Sequence, residues 1–169
     1  MSYDISKIKV KKGFPEVFYS QEKGGVSSNY QATINGLVHQ DLAEALDKLK
    51  AHLCLITELI NPVLLGGPAA IREQLSKGTL HEHEAFDGFY CTGLSLSSDG
   101  VVLIGGRKLS TGKVLNITAP FTLMTDEGDY LFWIDLDNQV QAVITETELL
   151  LEGKMGVEQL ELFDQDEAA

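Results

Sequence analysis

Four lysines crowd the N-terminal region, with Lys7, Lys9 and Lys11 alternating and Lys12 beside them. In an extended chain that alternation sets three ammonium groups on one face, where they could track a phosphate backbone. Phe18 and Tyr19, with Phe14 just ahead of them, are close enough in sequence to offer rings for base stacking. Alternating Lys is also the usual guard of an edge strand against aggregation, and that plainer use is the favoured one. His81-Glu82-His83-Glu84 puts two imidazoles on one face if extended. A structural zinc takes four ligands and a catalytic one three, and no Cys pair or H-E-x-x-H helix supplies the others, so an exposed polar loop is expected. Asp135 and Asp137 would share a face of a strand and could hold magnesium with Asp126, Glu127 or Asp129, although solvated acidic surface is the commoner outcome.

Gly106-Arg107-Lys108-Leu109-Ser110-Thr111-Gly112-Lys113 has the look of a phosphate-binding loop but fails on two counts. Five residues separate Gly106 from Gly112, and Val114 stands where the magnesium-binding Ser or Thr belongs. Cys54 and Cys91 lie far apart in apolar surroundings and read as reduced core thiols, with no electropositive context to activate them. No nucleophile elbow is present. The expectation is a binding protein without cofactor or bound metal, not an enzyme.

The sharpest motif lies at the C-terminal end, Gln159-Leu160-Glu161-Leu162-Phe163, followed by Asp164-Gln165-Asp166-Glu167-Ala168-Ala169. Large apolar side chains among acids in a terminal segment need a partner to bury them, or must dock back as a last helical turn or strand. The five residues resemble the peptide by which bacterial proteins bind the sliding clamp. That resemblance implies that Gln159 hydrogen-bonds at the lip of the clamp pocket while Leu160, Leu162 and Phe163 fill its apolar subsites. A wider resemblance rests on Val38-His39-Gln40-Asp41-Leu42, on the Gly106–Asn116 stretch and on the acidic Leu-Phe tail. In these the chain is similar to small proteins of bacteriophage and prophage DNA-metabolism loci, which implies a context and no reaction.

The elements that must position these residues follow from period and punctuation. The first 35 residues read as two or three antiparallel strands, with a Gly13-Phe14-Pro15 break and a Gly24-Gly25 turn. Leu42, Leu46, Leu49, Leu53, Ile56 and Ile60 fall at alternating steps of 4 and 3, which predicts an amphipathic helix over 39–60, stopped by Asn61-Pro62. A shorter helix is expected between Pro68 and Gly78. A meander follows, with strands at Phe89–Leu96, Val101–Ile104 and Val114–Ile117 joined by Ser98-Asp99-Gly100 and Ser110-Thr111-Gly112. Tyr130–Leu136 is consistent with a strand. Val140, Val143, Ile144, Thr147, Leu150 and Leu151 keep helical spacing, so a helix is favoured, surest over 138–152 and broken by Gly153 and Gly156.

These elements predict an α+β fold, an antiparallel sheet packed by the 39–60 helix and a C-terminal helix, with a single domain over 1–152 and an acidic tail over 153–169. The leucine stripe must pack on the sheet or on a second copy of itself, which leaves a homodimer open. The 169 residues carry a net charge of −12, and all of it lies in 126–169, where 13 acids face one lysine; residues 1–125 sum to zero. The acidity therefore does not bar the body from nucleic acid. No apolar run reaches the roughly 18 residues of a membrane span and the N-terminus has no signal-peptide core, so the expected location is the cytoplasm of a bacterial host cell. The leading expectation is an accessory protein of phage DNA metabolism that engages the sliding clamp. Two others stay open: a single-stranded-DNA-binding protein with a recruitment tail, and an acidic DNA mimic that inhibits a host enzyme.

Overall fold

The computed structural model describes residues 3–154, and the candidate clamp peptide at 159–163 lies outside them. Three strands open the chain, β1 (Asp4–Lys11), β2 (Phe14–Lys23) and β3 (Val26–Thr33), followed by α1 (Gln40–Ile56) and α2 (Pro68–Lys77). Then come β4 (Phe89–Ser97), β5 (Gly100–Lys108), β6 (Val114–Thr118), the short β7 (Thr122–Leu123) and α3 (Trp133–Leu151). The strands of the described residues form one antiparallel sheet in the order β3-β2-β1-β4-β5-β6, with β7 pairing β5 beside β6. The expected α+β architecture is the one found. Among the described residues no helix is long and apolar enough to cross a membrane.

Turn chemistry sets the first register. Lys12 and Gly13 (φ 54° and 83°) close the β1–β2 hairpin, and Gly24 and Gly25 (φ 61° and 79°) close β2–β3; both take the left-handed φ at two successive residues that tight hairpins need. Phe14 and Pro15 make no break, since β2 runs through them next to its hairpin end, where a proline is tolerated.

One face of the sheet is covered. Ile8, Val17, Leu94, Val101 and Leu103 point into the core, and α1 lies against β4 and β5 with α3 on its far side. Leu42, Leu49 and Leu53 of the stripe are all but fully buried, each stabilising the fold by roughly 1.5–3 kcal/mol. Sandwiched between sheet and α3, the turn of α1 from Ala51 to Leu55 is buried without exception. The helix stops sooner than its period: Thr57 Oγ1 bonds back to the Leu53 carbonyl (2.7 Å), Glu58 turns left-handed (φ 59°), and Ile60 is buried from outside the helix. Burial of Ile60 needs the apolar period, not helical backbone, so the stripe overstates the element.

Helix α3 begins at Trp133, so Tyr130–Leu136 is not a strand. Its buried residues Leu136, Val140, Val143, Thr147 and Leu150 continue the 4-3 period. Local sequence hides its start, because Phe132 offers no capping oxygen and Tyr130, Phe132, Trp133 and Ile134 all favour strands. Tertiary contacts decide instead: Phe132 and Leu136 enter the core, and Asp135 meets His52 of α1.

Candidate functional site

Two places in the described structure gather side chains that could act. The first is the sheet face that no helix of the described residues covers. Register puts Lys7 opposite Phe18 on β2 and Ser95 on β4, Lys9 opposite Glu16 and Gly93, and Lys11 opposite Phe14. Directly opposed residues share a face, so the three lysines and Phe14 and Phe18 are brought together, opposite to Ile8 and Val10. Lys7 Nζ lies 5.7 Å from the Phe18 ring centroid, a cation–π contact, and Lys12 is in the adjoining turn. Tyr19 does not join them. A register shift between Ile5 and Lys7 pairs it with buried Ile5, and on the covered side it stacks on Tyr30 (5.3 Å) and meets Tyr3 edge-on (5.4 Å).

The edge-strand explanation of the lysines does not hold, because β1 is interior to the sheet, with β2 on one side and β4 on the other. The strand at one end of the order is β3, whose sequence Val26–Thr33 has no charged residue at all.

The second place is buried. His52 Nδ1 is 2.6 Å from Tyr130 Oη and His52 Nε2 is 2.8 Å from Asp135 Oδ2. A carboxylate only accepts, so Nε2 carries the proton it donates to Asp135, and Nδ1 and the phenol are joined by the second hydrogen bond. Burial, together with the neighbouring Asp135 charge, pushes the Tyr130 hydroxyl well above the ordinary tyrosine range, which keeps it a donor. Beside this network a cleft of about 660 Å³ opens between α2 and the start of α3, lined by Arg72, Ser76, Tyr130, Trp133, Asp135 and Asn138 among others. Its size suits a small molecule. Both nitrogens of His52 are already engaged, so as built it offers no free base to the cleft and acts as a fastener between α1 and α3. Sequence reading missed this trio; the available signal was a single histidine inside the wholly apolar turn Ala51–Leu55, which demands a partner.

The other sequence candidates disperse. His83 Nδ1 accepts from the Ala85 N–H (3.0 Å), while His81 approaches Asp47 at 4.0 Å, so the two have separate local roles. Asp135 and Asp137, two apart on a helix instead of a strand, face different ways, and Asp137 accepts from Gln141. Among the described residues no group of three or more His, Cys, Asp or Glu could hold a metal ion. Gly106 belongs to the β4–β5–β6 ladder with the Tyr90 ring across it, and Arg107 lies over Phe89 (4.9 Å), so the first part of the Gly106–Lys113 stretch is paired strand and not a loop. Cys54 and Cys91 are buried free thiols, both pushed up to about 12 by desolvation. Compared with known proteins, the chain matches no family model, and no curated protein or solved structure is significantly similar to it.

Proposed function

We propose that this chain is a non-enzymatic accessory protein of bacteriophage or prophage DNA metabolism that engages the sliding clamp in the bacterial cytoplasm through Gln159, Leu160, Leu162 and Phe163. One observation carries the reading: a Gln-Leu-Glu-Leu-Phe sequence that follows the last helix of the described residues. Helix α3 is closed at Glu152, whose N–H bonds back to the Glu148 and Leu149 carbonyls, and Gly153 follows at φ 111°. The hydrophobic core of the described residues runs from Ile5 to Leu150. In this reading His52, Tyr130 and Asp135 hold the body together and perform no chemistry.

The test is binding of the full chain to immobilised, purified bacterial sliding clamp. The expected result is saturable binding that the double substitution Leu162→Ala, Phe163→Ala abolishes, since those side chains would fill the clamp's apolar subsites. Binding that survives the substitution, or no binding by the intact chain, overturns the proposal.

A further inference from the structure

We propose that the uncovered face of the sheet binds single-stranded nucleic acid, with phosphates along Lys7, Lys9 and Lys11 and bases against Phe14, Phe18 and Tyr90. Position supplies the first argument. A solvent face needs polarity but not one sign of charge, and on this same face β3 presents neutral Gln31 opposite Phe18 and Thr33 opposite Glu16. On β1 every outward position from Lys7 to Lys11 is a lysine. Lysines two apart on a strand stand about 6.7 Å from each other, close enough to repel and close to the step between successive phosphates of an extended single strand.

Among the described residues the acids of this face are Glu16, which lies opposite Lys9 and keeps its charge while accepting from Gln31 Nε2 (2.9 Å), and Asp4 and Glu22 toward the far end of the strands, so the row stays in excess around Lys7 and Lys11. Lys12 adds a further charge at the turn. A second copy of the chain laid on this face would set lysine row near lysine row, whereas a polyanion answers it.

Rings flank the row on both sides. Phe14, opposite Lys11, is 47% exposed, and Phe18 sits opposite Lys7. On β4 the Tyr90 ring lies across Gly106 on this face: a Cβ there would come within 2.6 Å of Tyr90 Oη, so glycine is what lets the ring lie flat. A flat, open face with rings beside a cationic row is the arrangement that takes unstacked bases and a backbone together.

The experiment is fluorescence anisotropy of a labelled 20-nucleotide oligo-dT with the full chain, without clamp, so its failure leaves the tail proposal standing and the reverse holds too. Three phosphate contacts at about 0.7 each give a slope near 2, so tenfold more salt should weaken binding about 100-fold. Lys9→Gln with Lys11→Gln should lower that slope by about 1.4, and Phe14→Ala should weaken binding at least about fivefold at fixed salt. All three side chains lie outside the core, and circular dichroism of the variants checks that they fold. Absence of binding at 20 mM salt, an unchanged slope in the lysine variant, or equal affinity for a 20-base-pair duplex each overturns the proposal.

Discussion

His52 shows most directly how one side chain ties the molecule together. It is fully buried on α1, and its two hydrogen bonds reach Tyr130 ahead of α3 and Asp135 in its first turn. Replacing it by Ala strands a carboxylate and a phenol as well as leaving a void, which should cost about 2–4 kcal/mol in urea denaturation; a loss below about 1 kcal/mol would refute the fastener role. Tyr130→Phe leaves Nδ1 without its partner and should cost about 1–2 kcal/mol. The pH dependence has a definite sign. Folding raises the Tyr130 value above the usual 10, so the stabilisation it brings is complete below pH 10 and is lost as pH climbs beyond it. The parent protein should therefore lose stability above pH 10 more steeply than Tyr130→Phe. Cys54 and Cys91, pushed up to about 12, should ignore a thiol reagent in the native protein at pH 8 and both react once urea unfolds it; rapid native labelling would contradict their burial.

Among the elements, β5 has little room for added side chains at its glycines. A Cβ on Gly105 would strike the Tyr90 carbonyl and come within 2.7 Å of Leu53 Cδ2, so the missing side chain is what lets α1 settle on the sheet. Gly105→Ala should destabilise by about 3 kcal/mol or more in chemical denaturation, whereas Gly112→Ala, in open space at the β5–β6 turn, suffers only its left-handed φ of 85° and should cost about 1 kcal/mol. Equal losses would show that crowding at Gly105 is not what matters. Sequence made part of this level legible. The leucine stripe gave α1 its existence and face, and Pro68 with Gly78 gave α2 both ends, because those signals are local. The start of α3 was hidden because its fixing contacts, Asp135 on His52 and Leu136 in the core, come from residues about eighty positions away. The lysine row is the sharper lesson. Alternation told which residues share a face but nothing about which strands lie beside β1, and only the pairing with β4, across the whole of α1 and α2, turns an apparent edge guard into a charged row in mid-sheet.

At the scale of the whole molecule, charge and connectivity meet at Lys154, the one base among residues 126–169. Its ammonium is 2.8 Å from both Asp41 of α1 and Glu146 of α3, which holds Asp41 below and Lys154 above their ordinary values and fastens the C-terminal end of the described body to the start of α1. Cutting the chain after Lys154 keeps that clasp, removes five acids and no base, and leaves −7 of the −12. The truncation separates the two fates open to Leu160, Leu162 and Phe163. If they dock on the body, their loss forfeits roughly 1.5–3 kcal/mol for each well-buried side chain, and a domain of this size should melt several degrees lower. If they serve a partner, the truncated chain should melt within about 2 °C of the full one and unfold with an unchanged slope in urea, while its clamp binding disappears. Calorimetry on the two chains, beside the clamp-binding measurement, decides between them. A large fall in melting temperature would make the peptide part of the fold and remove the reason to assign it a partner.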